Sequence, residues 1–361
     1  MKKILQVVGA LGVGGDTVAI MNMAKSLDKN EFQMDFLSYE CYANKHFVDT
    51  YRKDGGHVFL LSADVRRMGF FKSFYLTYKF LKRHKYDIVH VHTSFQSAII
   101  LCAAYLAGVK SRICHSHTTM IQRPLPKFLK DIYLPISRML IRCLATKCVA
   151  CGLEAGRFLF GEHKFTVLYN GIDLNTFYPP ANDDENNILT EYDIKGKIII
   201  GQVGNIKPMK NQVFSIQICS NLQKPYEMFF IGDGIQKDVL SEECRNNPHI
   251  HFLGLRNDVG TLLRKFDVLL LPSLPGEGLP VTAIEAQACG CNCIMSESIT
   301  KEADLGIGLA YYAKLNDVND WITHISKRPN IDSDVILSAI NNKGFNRELS
   351  NLKWTKIYYE N

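Results

Sequence analysis

The residues best placed to do chemistry in this 361-residue chain stand in one short segment, Pro275-Gly276-Glu277-Gly278-Leu279-Pro280-Val281-Thr282-Ala283-Ile284-Glu285-Ala286. It follows the apolar run Val268–Leu271 and leads into a helical pattern. A strand, a Gly/Pro turn and a helix start present free backbone N–H groups and the positive end of the helix dipole, which suits a diphosphate. Glu277 falls in the turn, where a carboxylate can hold sugar hydroxyls. Glu285 falls one to two turns into the helix, where it can accept a bidentate hydrogen bond from a ribose. The competing reading is a loop charge and a solvated helix residue, because two glutamates eight apart mean little by themselves.

A second segment, Val203-Gly204-Asn205-Ile206-Lys207-Pro208-Met209-Lys210-Asn211, follows another apolar run and places Lys207 and Lys210 in the loop after it. One reading of Lys210 is a solvated loop lysine. Gly9-Ala10-Leu11-Gly12-Val13-Gly14-Gly15-Asp16 joins the first strand to a helix, and by itself is a tight turn that needs no ligand. The G-x-G-x-x-G register of a dinucleotide fingerprint is missing there, so NAD is disfavoured. Two histidine-bearing strand ends follow, Asp87-Ile88-Val89-His90-Val91-His92 and Arg112-Ile113-Cys114-His115-Ser116-His117. A histidine on a buried strand is often a satisfied core group, and His90 and His92 are read so. His115 and His117 end the other strand, and which of the two could serve a ligand the spacing leaves open.

These residues need elements to hold them. Short apolar runs alternate with helical patterns: Ile4–Val8, Phe32–Leu37, His57–Leu60, Ile88–Val91, Arg112–His115 and Lys147–Ala150, then Ile198–Val203, Tyr226–Ile231, Ile250–Leu253, Val268–Leu271 and Asn292–Met295. Such alternation implies two parallel sheets, each covered by helices on both faces. The length fits two domains. Pro179-Pro180 and the acidic stretch 182–187 mark a connection between them. The expected division is 1–175 for the first domain and 176–346 for the second. A final helix over Asn351–Tyr359, carrying Leu352, Trp354, Ile357 and Tyr358, is expected to dock back on a domain surface. Open parallel sheets bind ligands outside the carboxyl ends of their strands, so two facing sheets would enclose a cleft with one ligand on each side.

Composition excludes several classes. Hydrophobic residues at 47% and charged residues at 22% are those of a globular protein, not of a disordered or coiled chain. The longest uncharged apolar stretch, Ser97 to Val109, is too short to span a bilayer. The basic start meets Gly12, Gly14 and Gly15 with no plausible cleavage site and reads as a first buried strand. Eleven cysteines lie within apolar runs, which suits a reducing cytoplasm. Cys148-x-x-Cys151 and Cys289, Cys291, Cys293 lack a second ligand pair at metal-site spacing, so no metal is expected. The net charge of +6 is uneven: residues 1–180 hold 24 Lys and Arg against 13 Asp and Glu, a balance of +11, and the remainder is −5. Basic residues in Arg66–Lys85 and Arg123–Arg142 are interleaved with Phe70, Phe71, Phe74, Tyr75, Tyr78 and Phe80. The mixture suits contact with an anionic membrane surface, or a solvated helix face with core aromatics behind it. No nucleic-acid motif accompanies the charge, so a nucleic-acid partner is not expected.

Glu277-Gly278-x-Pro280-x-x-x-x-Glu285-Ala286, followed by Ala288-Cys289-Gly290, resembles the E-x7-E signature of the retaining GT-B glycosyltransferases of family 4, many of which build bacterial surface polysaccharides. The likeness spans nearly the whole chain. It implies an α/β GT-B fold of two Rossmann-like doubly wound domains facing a cleft. It implies that Glu277 contacts the donor sugar and Glu285 the ribose, with the backbone of Gly278, Leu279, Pro280 and Val281 near sugar and phosphates. Lys210 fits the family's G-R-x-x-x-x-K segment, but Asn205 stands where the family has arginine, and a neutral amide cannot replace a guanidinium on a leaving phosphate. The family's H-x-H element places a histidine near the donor's hydroxymethyl group, which suits His117. Its Gly-Gly turn suits Gly14 and Gly15. Tyr169-Asn170-Gly171-Ile172-Asp173 resembles its interdomain hinge, with Phe177 as an anchor, and Leu253 to Arg256 its base-framing turn. The resemblance implies hexosyl transfer with retention from a nucleoside diphosphate sugar, a UDP-sugar foremost, to a glycan or polyprenyl-linked acceptor. It implies no cofactor, and the chain has no convincing D-x-D metal motif. A nucleotide-sugar epimerase and a non-catalytic nucleotide-sugar-binding subunit are the rival readings. The expected location is cytoplasmic, with peripheral contact on the inner membrane face.

Overall fold

The computed structural model describes all residues except 10, 12–14, 40–44, 62–69, 122–125, 181–188, 190, 328 and 361, with backbone alone for 15, 16, 18, 39, 46 and 47. The chain divides into two compact units, Met1–Asn170 with Ser350–Asn361, and Gly171–Leu349. The divide falls just after Asn170 because the next residues bond forward. Ile172 donates to Phe345 O (2.7 Å) and accepts from Arg347 N (3.0 Å). A side chain at Gly171 would meet the Arg347 backbone at 2.5 Å.

In the first unit, strands β1 (Lys2–Val7), β2 (Phe32–Tyr39), β3 (His57–Leu61), β4 (Ile88–Val91), β5 (Ser111–Ser116), β6 (Lys147–Ala150) and β7 (Thr166–Val167) form one sheet in the order β3-β2-β1-β4-β5-β6-β7. Every pairing among them is parallel. The helices are α1 (Gly15–Ser26), α2 (Lys45–Lys53), α3 (Phe70–His84), α4 (Ser97–Ala107), α5 (Lys127–Leu144) and α6 (Leu153–Phe160). Alternate strand residues serve opposite faces. Ile4, Val8, Phe36, Ile88 and Ile113 pack with Ile20 and Met23 of α1 on one face, whereas Leu5, Val7, Val89, Val91 and Cys114 pack with Leu81 of α3, Leu101 of α4 and Ile141 of α5 on the other. The largely apolar α4 buries Ala98, Ile100, Leu101, Ala103 and Ala104 and ends at Gly108 in the left-handed region (φ 86°), where glycine costs least.

The second unit repeats the plan. Strands β8 (Ile198–Val203), β9 (Tyr226–Ile231), β10 (Ile250–Gly254), β11 (Val268–Leu271), β12 (Asn292–Ser296) and β13 (Ala310–Ala313) run in the order β10-β9-β8-β11-β12-β13, all parallel. Its helices are α7 (Gln212–Ser220), α8 (Lys237–Glu243), α9 (Val259–Lys265), α10 (Val281–Ala288), α11 (Val318–Ile325) and α12 (Ser333–Lys343). Ile200, Met228, Phe230, Val268, Leu270 and Ile294 bury one face against Phe214 and Ile218 of α7 and Trp321 of α11. Both sheets therefore reverse direction at a switch point, β1/β4 in one and β8/β11 in the other.

The last helix, α13 (Arg347–Tyr359), starts at Asn346, whose Oδ1 accepts from Glu348 N (2.9 Å). Trp354, Ile357 and Tyr358, spaced to share one helix face, join the Ile4/Phe36/Ile88 core of the first sheet. Leu352, on the same helix, is exposed. Of the aromatics on α3, Phe70, Phe71 and Tyr75 lie at the surface, whereas Phe74, Tyr78 and Phe80 are partly buried; Phe128, Leu129, Ile132, Ile136 and Met139 of α5 are exposed.

Candidate functional site

The loops after β8 and β11 rise from neighbouring strands at the switch point of the second sheet, and Leu274 N of the second loop donates to Met209 O of the first (2.8 Å). This brings together two of the residues singled out from the sequence. Lys210 Nζ donates to Glu277 Oε1, and both side chains are close to nine-tenths buried, with 12% and 11% exposed. Beneath the pair, Gln202 Nε2 of β8 donates to Lys210 O (2.8 Å), and Ser215 Oγ of α7 donates to Gln202 Oε1 (2.7 Å). The lysine-bearing turn is thus held from the strand and the helix that flank it.

Glycine is required where the neighbouring turns close on this loop. A Cβ at Gly232 would lie 2.1 Å from Gly204 O, with φ at +135°, and one at Gly234 would lie 2.3 Å from Ile206 O. Gly204 N donates to Ile231 O (2.9 Å) and Gly232 N to Gly254 O (2.8 Å), so the carboxyl ends of β8, β9 and β10 are stitched together. Asn205 accepts Gln212 Nε2 on its carbonyl (3.1 Å). Leu253 and Arg256 stand two strands from Lys210, on and beyond β10. Arg256 grips Asp258 through Nε–Oδ1 (2.8 Å) and Nη2–Oδ2 (2.6 Å), which holds the Asp258 carboxyl below its ordinary range.

After the turn, Leu279 and Pro280 are buried, Gly278 and Val281 partly so, and α10 begins at Val281. The first N–H groups of a helix have no intrahelical acceptor, so the start of α10 offers donors beside Glu277. Glu285 sits in the second turn. The residue is not fully enclosed, yet its carboxyl is deep enough that burial pushes it up to about 7. A carboxyl poised there gains from any hydroxyl donors brought to it. The pattern Asp332-x-Asp334 is a helix cap, with Asp332 Oδ1 accepting Asp334 N (2.8 Å).

In the first unit Gly14 lies outside the described residues, and Gly15 is the first residue of α1. His117 follows β5 directly. Gln6, His90, His92, His115 and His117 share one sheet face, because Gln6 registers with His90 and His90 with Ile113. The four imidazoles form a stack, with ring centroids 4.3 Å apart for His90/His92 and 4.1 Å for His115/His117. Trp354 lies 5.4 Å from His90 and 5.0 Å from His115. Burial holds His90, His92 and His115 well below the ordinary histidine range, and the neighbouring imidazoles add to it. Nitrogens of His90, His92 and His115 lie within 4.8 Å of one another, a donor set that zinc accepts. However, both ring nitrogens of His92 are already hydrogen-bonded, to His117 and Gln6. Gln6 was not singled out from the sequence, and Tyr358 was read only as a residue of the docking helix. The signal for Gln6 was a polar residue between Ile4 and Val8 on an apolar strand face; nothing local marks Tyr358 as its partner.

Two family descriptions match: "Glycosyltransferase Family 4" over residues 13–176 and "Glycosyl transferases group 1" over residues 184–304. EpsF of Bacillus subtilis (strain 168), classed with the glycosyltransferases, is 32% identical, the match covering 90% of this chain and 87% of that one. The UDP-Gal:alpha-D-GlcNAc-diphosphoundecaprenol alpha-1,3-galactosyltransferase of Escherichia coli is 29% identical over 74% of this chain and 72% of its own. HepE of Anabaena, solved in complex with UDP and glucose, superposes with a TM-score of 0.78 at 17% identity over 100% of both chains and shows the same GT-B fold. With two doubly wound sheets, the paired Lys210 and Glu277 at one switch point, and a relative this similar over nearly its whole length, the chain belongs to the family 4 glycosyltransferases of GT-B fold.

Proposed function

We propose that the chain transfers a hexosyl group, with retention, from a nucleoside diphosphate sugar to a hydroxyl of a glycan or polyprenyl-linked acceptor in surface-polysaccharide assembly. A UDP-sugar is the donor we favour, since similar proteins are named for UDP-Gal and were solved with UDP. The acceptor class rests on the diphosphoundecaprenol substrate named for the Escherichia coli relative. The observation that carries the reading is the Lys210–Glu277 pair at the β8/β11 switch point, beside the start of α10. On donor arrival Lys210 turns to the diphosphate and Glu277 to the sugar hydroxyls. The charge that builds on the departing diphosphate is met by Lys210 and the helix N-terminal amides. Glu285 takes the ribose, and Leu253 and Arg256 frame the base; Gly14, Gly15 and His117 of the first unit are assigned to substrate binding as well. Asn205 donates a neutral hydrogen bond where a charge would be stronger. These groups supply the stabilisation without a metal, so turnover is expected to survive EDTA.

The test is a panel of nucleotide sugars scored by thermal shift, because a ligand that binds only the folded state raises the melting temperature. Transfer to a polyprenyl diphosphate-linked sugar is then measured with the donor that shifts most. Glu277→Ala is expected to abolish transfer; unchanged turnover in that variant would sink the assignment.

Contact with an anionic membrane is the second part of the reading. Phe128, Ile132, Ile136 and Met139 recur every three to four residues along α5, so one exposed stripe is apolar, with Lys127 and Lys130 beside it. Phe70, Phe71 and Tyr75 on α3, among Lys72, Lys79, Lys82 and Arg83, have the same character.

A further inference from the structure

A directed chain of hydrogen bonds runs across the first sheet from the last helix to His117. Gln6 Nε2 donates to Tyr358 Oη (2.8 Å) and lies 3.6 Å from Met34 Sδ; Gln6 Oε1 meets His92 Nε2 (2.8 Å); His92 Nδ1 meets His117 Nε2 (2.8 Å). Each of these contacts has a logical direction. A thioether sulfur can only accept, so the Gln6 edge that faces Met34 and Tyr358 is the NH2 edge, and its carbonyl oxygen faces His92. A carbonyl cannot donate, so the proton of the His92–Gln6 bond sits on His92 Nε2. Desolvation and the neighbouring imidazoles hold His92 neutral, so its Nδ1 carries no proton and must accept from His117. The His117 Nε2 therefore holds a proton whether the ring is neutral or charged, and Nδ1 is the atom that titrates and accepts.

We infer that Gln6, aligned by Tyr358 of α13 and by Met34, is a positioning residue that fixes the proton of His117 on Nε2 and presents Nδ1 as a hydrogen-bond acceptor. This rests on the reading above in one respect: it gives His117 a purpose there, accepting from a donor-sugar hydroxyl. The opposite tautomer would turn a proton toward that hydroxyl instead. Tyr358 Oη also contacts His90 Nδ1 (2.9 Å), so one hydroxyl on the closing helix ties two strands of the histidine stack together.

The test is nitrogen NMR of the full chain labelled with 15N in its histidine rings, with His117 assigned by loss of its signals in His117→Gln. The expected wild-type spectrum has a protonated Nε2 and an unprotonated Nδ1 at His117, with the same pattern at His92. A His117 proton found on Nδ1 overturns the inference. Gln6→Leu removes the acceptor and should turn His117 into a mixture of tautomers, with kcat/KM for transfer falling about tenfold, the worth of one hydrogen bond. Gln6→Met, which also lacks an oxygen acceptor and is closer in shape, should do the same. A single unchanged tautomer in folded Gln6→Leu or Gln6→Met overturns the role of Gln6, and the wild-type spectrum decides the proton assignment. A nucleotide sugar that raises the melting temperature yet moves neither nitrogen refutes the donor-side role of His117, while the proton assignment stands.

Discussion

The Lys210–Glu277 pair joins two charged groups that are mostly out of water. Removing one partner takes that compensation from the other, at a cost of up to about 3–5 kcal/mol for a buried pair. Lys210→Ala should therefore lower stability as well as abolish turnover. The double variant Lys210→Met/Glu277→Gln should regain most of the stability and none of the activity, which a denaturant titration beside a transfer assay would show. The buried ionisable groups make a second prediction. The unfolded chain takes up protons on its histidines below about pH 6.5, while His90, His92 and His115 resist protonation in the fold. Stability therefore falls as pH drops below that value. Glu285 acts in reverse: its folded value of about 7 exceeds its ordinary 4.5, so its share of stability is lost as pH rises through that window. Three histidines outweigh one glutamate, so acid should destabilise the apo protein. Glu285→Gln should steepen the acid loss and stabilise the protein at pH 8, by no more than about 3 kcal/mol. Melting temperatures across pH 5–8 for the two proteins check both signs.

Among the elements, the turns after β8 and β9 carry the closest packing around the candidate site. Gly232→Ala sets a methyl against Gly204 O in a backbone region that alanine avoids. The loop that holds Lys210 must shift, so donor affinity should fall more than overall stability. Isothermal titration with the donor, beside a melting curve, separates the two. The strands themselves were legible in the sequence. Ile88–Val91, Lys147–Ala150, Ile198–Val203, Tyr226–Ile231 and Val268–Leu271 are apolar runs with turn residues at both ends, and the structure has strands over those same residues. The strands β7 and β13 escaped because Thr166–Val167 is two residues long and Ala310–Ala313 is only partly apolar and mostly half-buried. The Lys210–Glu277 contact was not legible either, since it depends on β8 and β11 being neighbours, and strand order is a tertiary property. The Gln6–Tyr358 contact spans almost the full chain length, which no local pattern reveals.

For the whole molecule, the charge asymmetry acquires a physical setting in the exposed apolar residues of α3 and α5. Charge reversal at Lys79, Lys82 and Arg83 should weaken cosedimentation with phosphatidylglycerol-containing liposomes, and Phe128→Ser/Ile132→Ser should do so independently of salt. Binding that neither variant changes would count against the membrane reading. Transfer to a short water-soluble acceptor should be untouched by either set, because the substituted residues are exposed on α3 and α5 and none of them belongs to the candidate site.

The ion pair between Lys210 and Glu277 has one more consequence, for discrimination. An unpaired lysine would hold any passing anion, and cells are rich in inorganic phosphate. Here the cation already has a partner, so an anion that displaces Glu277 must also make good the ion pair that the carboxylate gives up. Only a molecule that carries both a diphosphate for the lysine and hydroxyls for the carboxylate satisfies the two groups at once. Phosphate should thus compete poorly with a nucleotide sugar, and Glu277→Gln should lose that selectivity, binding bare phosphate more readily than the wild type does.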